Sequence, residues 1–144
     1  MKVTVFGTGY VGLTQAVCLA QVGHSVLCMD VDADRVASLS EGHCPIFEPG
    51  LAPLLKKNLA CGRLSFTTDA AAAANYARLQ FIAVGTPPQA DGSADLKHVF
   101  AVVDSILEHA DGPKVIVNKS TVPVGSTRVV ERVLERPDVT VVSN

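Results

Sequence analysis

A doubly wound parallel α/β sheet is the fold class this sequence predicts, and three observations predict it. Short apolar runs rich in β-branched residues alternate with stretches of helical spacing along all 144 residues. The first run, Val3-Thr4-Val5-Phe6, breaks at glycines spaced G-x-G-x-x-G (Gly7, Gly9, Gly12), and helical spacing begins there. The second run, Ser25-Val26-Leu27-Cys28-Met29, is closed by an acidic residue, Asp30. Strand, glycine turn, helix, strand and carboxylate in that order predict a Rossmann fold of about six strands, with right-handed crossovers and helices on both faces.

Each element has its own signal. Tyr10 to about Val22 reads as a helix with Val11, Val17, Leu19 and Ala20 available for packing, ended by Gly23. The second strand runs to Asp30. Asp32 caps a helix carrying Val36, Ala37 and Leu39, which Gly42 stops. The proline-rich loop Cys44-Pro45-Ile46-Phe47-Glu48-Pro49-Gly50-Leu51 feeds an additional helix through Leu54, Leu55 and Leu59. Leu64 to Thr67 is a short third strand, and Asp69 caps the alanine run Ala70 to Ala74, a strong helix former. Leu79 to Val84 is a central buried strand that ends in Gly85-Thr86-Pro87-Pro88 and a polar loop, Gln89 to Ser93. Asp95 is expected to cap a helix packed through Val99, Val102, Val103, Ile106 and Leu107. Val115-Ile116-Val117 makes a fifth strand, followed by the loop Asn118 to Thr127. A helix through Val129, Val130, Val133 and Leu134 and a sixth strand, Val139 to Val142, complete the alternation.

Composition narrows the function. The chain is 48% hydrophobic and 18% charged, which suits a sheet whose central strands are apolar on both faces, and residues 1–144 read as one domain. A net charge of -2 offers no general attraction to polyanions, so nucleic acid is not an expected partner. No apolar run reaches the roughly 18 residues that would span a bilayer, and the N-terminus enters a strand at once. A cytoplasmic protein without membrane association is expected. Cys18, Cys28, Cys44 and Cys61 show no metal-ligand spacing; Cys18 and Cys28 read as small core residues, and none has an activating base nearby in sequence. His24, His43, His98 and His109 form no ligand cluster, so no metal site is expected.

The glycine turn carries the chemistry. Gly7 takes the backbone angles of a tight strand-to-helix turn, Gly9 lets a pyrophosphate approach the main chain, and Gly12 lets the helix lie close on the sheet. The first N–H groups of the helix lack internal partners and, with the helix dipole, favour an anion. Asp30 would accept hydrogen bonds from the adenosine ribose and repel a 2′-phosphate, so NAD is expected over NADP. Arg35, five residues on, is placed either to reach the adenine side or to sit on a solvated helix face. Gly85, Thr86 and the hydroxyl-rich loop after the fifth strand fall at strand carboxyl ends, where open α/β sheets bind ligands.

Four motifs in this order, Gly7-Thr8-Gly9-Tyr10-Val11-Gly12, Glu48-Pro49-Gly50-Leu51, Val84-Gly85-Thr86-Pro87-Pro88 and Lys119-Ser120-Thr121-Val122-Pro123-Val124-Gly125, resemble the UDP-glucose/GDP-mannose dehydrogenase family. The resemblance implies that Gly7, Thr8, Gly9, Tyr10, Val11 and Gly12 contact the pyrophosphate of NAD, and that Asp30 and Arg35 hold its adenosine end. It implies that Val84, Gly85, Thr86, Pro87, Pro88, Ser120, Thr121 and Val122 line the cofactor toward its nicotinamide. Thr121 matches a family threonine that helps position the catalytic water and can contact substrate.

Such enzymes oxidise the C6 alcohol of UDP-glucose, or of a related UDP- or GDP-sugar, to the uronate by two hydride transfers to NAD, through a thioester on a cysteine. The family's nucleophilic cysteine motif, central dimerisation helix and nucleotide-sugar domain have no counterpart in these 144 residues. The resemblance therefore implies a cofactor domain that turns over no sugar by itself, from a parent enzyme that is a homo-oligomer. Two other readings are weighed: a stand-alone NAD-sensing regulatory domain, and a different NAD(P)-dependent dehydrogenase. The hydroxyls at the expected nicotinamide end weigh against a sensor.

Overall fold

The structure, a computed structural model, describes residues 1–122 and 136–143. The strands are β1 (Lys2–Phe6), β2 (Ser25–Met29), β3 (Leu64–Thr67), β4 (Leu79–Ile82), β5 (Lys114–Asn118) and β6 (Val139–Ser143). The helices are α1 (Tyr10–Gln21), α2 (Ala33–Ser40), α3 (Leu51–Ala60), α4 (Ala70–Tyr76) and α5 (Lys97–His109). The helix expected through Val129, Val130, Val133 and Leu134 lies outside the described residues. The six strands form one sheet in the order β3-β2-β1-β4-β5-β6, and every pair is parallel. The order reverses direction between β1 and β4, so the crevice of a doubly wound sheet opens at their carboxyl ends.

Alternation along the strands sorts the core onto two faces. Val3 and Val5 of β1, with Val26 and Cys28 of β2, pack against Leu13, Ala16, Val17 and Ala20 of α1 and Leu55 of α3. Phe6 and Met29 face the other way, onto Ala73 and Ala74 of α4 and Val99, Val103 and Ile106 of α5. Each fully buried Val, Leu, Ile or Phe contributes about 1.5–3 kcal/mol. Two polar strand residues are fully buried on the α4 side. The Thr4 hydroxyl donates to the Ala73 carbonyl at 3.0 Å, and Gln80 Nε2 donates to the Ala74 and Ala77 carbonyls at 2.7 and 3.0 Å. They satisfy carbonyls at the end of the alanine helix, which have no partner within it.

Several expectations shift in detail. β2 stops at Met29, and β4 stops at Ile82 rather than Val84, because Lys119 N and Ser120 N both donate to the Ile82 carbonyl as β5 turns away. Asp95 is not the cap residue of α5. Leu96 holds that position, and Asp95 Oδ1 accepts from Lys97 N at 2.9 Å, a turn one residue early. Asp32 and Asp69 do cap, accepting from Arg35 N and Ala72 N, each at 3.0 Å. Val11 is 49% exposed and Cys18 is also exposed, against their expected packing roles. They lie seven residues apart, hence on one outward side of α1, while Gly12, Ala16 and Ala20 make the side that meets the sheet.

The turn between β1 and α1 sets the whole crevice. Gly7 has φ +96°, which a side chain would strain. Gly12 sits against it: a Cβ there would lie 2.0 Å from the Gly7 carbonyl oxygen and 3.2 Å from Ala83 Cβ. Gly12→Ala is therefore expected to lower the unfolding free energy by about 3 kcal/mol or more, read by urea titration. At Gly9 no heavy atom lies within 4 Å of an added Cβ, so Gly9→Ala should change stability by no more than about 1 kcal/mol.

Candidate functional site

A cavity of about 560 Å³ opens over the crevice. Its floor is the glycine turn, through Phe6, Gly7, Thr8 and Gly9. One side comes from Met29, Asp30, Val31 and Arg35, and another from Ala83, Val84, Gly85 and Pro87. Ala70 of α4 and His98, Ala101, Val102 and Ser105 of α5 close the remaining wall. The lining is mainly apolar with few polar groups, the composition usual for a small-molecule site.

The start of α1 has the chemistry to receive an anion. Gly9 takes the cap position with extended angles, and no side chain caps the helix. The first internal bond runs from Leu13 N to the Gly9 carbonyl at 2.9 Å. The N–H groups of Tyr10, Val11 and Gly12 thus have no partner within the helix, and the positive end of its dipole lies at the cavity floor. The open space beside Gly9 is where a side chain would intrude on a ligand.

Asp30, half-buried just past the end of β2, is the anionic group among the lining residues. Its Oδ2 accepts from the Thr8 amide at 2.8 Å and from the Thr8 hydroxyl at 2.5 Å. Its Oδ1 accepts from Asp32 N at 3.1 Å. Burial pushes the carboxyl pKa up. The hydrogen bonds from Thr8 and Asp32 and the charge of Arg35 together outweigh burial and hold it below the ordinary value. Arg35 lies 3.9 Å from Asp32 (Nε to Oδ2) on α2 and lines the cavity.

Of the residues singled out in the sequence, Gly7, Thr8, Gly9, Asp30, Arg35, Val84, Gly85 and Pro87 line the cavity together. Tyr10, Val11, Gly12, Thr86, Pro88, Ser120, Thr121 and Val122 do not. Tyr10 is exposed, and its hydroxyl donates to Glu48 Oε2, which ties the loop before α3 to the start of α1. Pro88 pairs with Ala94 in a small hairpin whose turn is Gln89 to Ser93. The Ser120 hydroxyl donates to the Val84 carbonyl at 2.8 Å, lacing the loop after β5 to the loop after β4. Thr121 is exposed just beyond. Pro123 to Gly125 of that motif lie outside the described residues.

Apart from Val102, expected as a packing residue, the α5 wall is not among the sites read from the sequence. His98, Ala101, Val102 and Ser105 recur at i, i+3, i+4 and i+7 beside the buried stripe Val99, Val103 and Ile106. Nothing in that second stripe, which mixes His98 and Ser105 with Ala101 and Val102, separates it in the sequence from a solvated helix side. Cys28 is fully buried, and burial with the Asp30 charge pushes its thiol far above the thiolate range. Cys18, Cys44 and Cys61 are likewise unpaired. Among the described residues no helix is long and apolar enough to cross a membrane, and no group of three His, Cys, Asp or Glu is placed to hold a metal.

Residues 1–144 match the family model for the NAD binding domain of the UDP-glucose/GDP-mannose dehydrogenase family. The chain is similar to UDP-glucose 6-dehydrogenase TuaD of Bacillus subtilis, 47% identical over 135 residues, covering 94% of this chain and 29% of that protein. It is also similar to UDP-glucose 6-dehydrogenase of Rhizobium meliloti, 48% identical over 149 residues, covering all of this chain and 34% of that one. Among solved structures, a ternary complex of GDP-mannose dehydrogenase from Pseudomonas aeruginosa superposes with a TM-score of 0.91 at 34% identity, over 100% of this chain and 36% of that one. The chain thus spans about a third of the length of these relatives. Matched from end to end, with a parallel six-stranded sheet and an uncapped helix start at the floor of the crevice, the chain belongs to the UDP-glucose/GDP-mannose dehydrogenase family, as its NAD-binding domain.

Proposed function

We propose that this domain serves an enzyme that oxidises the C6 alcohol of UDP-glucose, or a related UDP- or GDP-sugar, to the uronate in two NAD-dependent steps. The observation that carries the reading is the pairing of the uncapped α1 start at Gly9 with the ionised Asp30 across one cavity. The donor set suits a dinucleotide: main-chain N–H groups for a pyrophosphate at one point, an acceptor carboxylate for a ribose at another. When bound, NAD supplies the hydride acceptor.

The chain's own residues then divide the work. Tyr10, Val11 and Gly12 offer amides to the pyrophosphate, and Gly9 keeps the approach open. Asp30 accepts from the adenosine ribose, with Arg35 alongside. Val84, Gly85, Thr86, Pro87 and Pro88 form the edge toward the nicotinamide. Ser120 holds that edge through its bond to the Val84 carbonyl, which presents Thr121 and Val122 at the same end of the sheet. In this reading Thr121 positions water and meets the sugar, and the sugar-binding and thioester-forming groups lie in the part of the relatives that this chain does not span.

Calorimetric titration of the 144-residue chain tests the reading. NAD is expected to bind more tightly than NADP, and Asp30→Ala should weaken NAD by about tenfold or more, the worth of a hydrogen bond to a charged group. Unchanged NAD affinity in that variant contradicts the assignment. Mixed with NAD and UDP-glucose, the purified chain should yield no NADH; a rising NADH absorbance would place the chemistry here instead.

A pH dependence follows from the lowered Asp30 pKa. A carboxyl held below its unfolded value of about 3.9 adds stability that is present above that value and lost as pH falls through the folded one. Asp30→Asn should therefore flatten the acid limb of the stability curve below about pH 4. A thermal-melting series across that range, with wild type beside the variant, reads the difference.

A further inference from the structure

The side chain of the residue between the first two glycines of the turn, Thr8, is fully buried and turned onto a neighbour. We infer that Thr8 is the positioning residue for cofactor selection: it pins the Asp30 carboxylate in place, and that fixed anion is what keeps a 2′-phosphorylated dinucleotide out. The inference rests on the reading of Asp30 given above and assigns the selectivity to a second residue acting through it.

The geometry is a three-point clamp. Thr8 brings two donors, its amide at 2.8 Å and its hydroxyl at 2.5 Å, to the single oxygen Oδ2. Asp32 N holds the other oxygen, Oδ1, at 3.1 Å. One end of the carboxylate is therefore tied to the β1–α1 turn and the other to the start of α2. An ionised carboxylate has about four acceptor positions, and these three donors leave one, on Oδ1. One ribose hydroxyl can use it. A 2′-phosphate in the same place would meet a negative charge that cannot swing aside, in a half-buried site where screening by water is reduced.

The two amides would hold Asp30 in any sequence with this backbone. The hydroxyl is what Thr8 adds. Without it, Oδ2 keeps one donor in a partly desolvated place, and the carboxylate gains freedom to rotate toward solvent or to take up a proton. Either change relieves the repulsion of a phosphate more than it harms a ribose contact, so selectivity should fall further than NAD affinity does.

The charged and titratable groups facing Asp30 are Arg35 and Asp32 from α2, with Cys28 beneath it on β2 and His98 on the opposite cavity wall. A carbon-detected NMR titration of the Asp30 carboxyl in the ligand-free chain resolves its own midpoint from theirs.

The experiment compares the 144-residue wild type with Thr8→Val, Thr8→Ser and Asp30→Asn, measuring NAD and NADP affinities by calorimetry and the Asp30 midpoint by NMR. In Thr8→Val the NAD-to-NADP preference should fall about five- to tenfold and the Asp30 midpoint should rise. Thr8→Ser, which keeps the hydroxyl, should hold both within about twofold of wild type. Should valine prevent folding, Thr8→Ala, which adds no bulk, reads the same quantities. The inference is overturned if removing the hydroxyl leaves preference and midpoint at wild-type values while Asp30→Asn abolishes the preference. It is overturned as well if serine fails alongside valine with both cofactors weakened equally. If Asp30→Asn itself leaves the preference intact, the reading of Asp30 falls and takes this one with it.

Discussion

The contact on which this structure depends is a backbone one, the Gly7 carbonyl lying against the Cα of Gly12. It allows α1 to start within one turn of the end of β1 and to lie directly on the sheet, with Ala83, just past β4, filling the third side. From that contact come the close packing of Leu13, Ala16 and Val17 onto Val3 and Val5, and the direction of the helix axis. The axis in turn aims unpartnered amides at the place where the strand order reverses. A side chain at Gly12 would push the helix off the sheet and the amides off their target together, so stability and binding share a cause here.

Around that contact the cavity is assembled from elements far apart in sequence. Asp30 arrives on β2, one strand over, and Thr8 and Asp32 hold it from the two turns that flank it. β4 contributes Val84 and Gly85 beyond its last ladder bond, where Ser120 anchors them from the loop after β5. α5 closes the wall with a stripe in which His98 and Ala101 are exposed and Val102 leans on the core. Electrostatically the site is divided: helix amides at the floor attract an anion, while Asp30, brought beside them by its bonds to Thr8, rejects one. A dinucleotide with its charge confined to the pyrophosphate satisfies both demands, and this matches the NAD-binding family to which the chain belongs.

Much of the fold was legible because local and long-range demands agree. Gly7 and Gly12 mark a turn that only glycines fill, Asp32 and Asp69 cap as their positions predict, and alternation within β1 separates Val3 and Val5 from Thr4 and Phe6. The misses share a reason. α1 is apolar on nearly every side, so its pattern does not say which side is buried. Only its contact with the Gly7 carbonyl rotates Val11 and Cys18 outward. The capping offset at Asp95 is a choice between neighbouring turns that sequence leaves open. At the site, Asp30 and the glycines were readable from spacing. Thr8 was not, since nothing at an x position of G-x-G says that its hydroxyl reaches across 22 residues to a carboxylate. His98 and Ser105 were hidden for a related reason, because the side of a helix that faces a cavity has the composition of one that faces water.

The central claim is that the α1 start and Asp30 grip one cofactor between them. Amide chemical-shift mapping of the 144-residue chain during titration with NAD tests it most directly. The account predicts the largest shifts at Gly9, Tyr10, Val11 and Gly12 and at Asp30 and Val31, saturating together with a single affinity. Shifts confined to another surface, or an unmoved α1 start at saturating NAD, would contradict it.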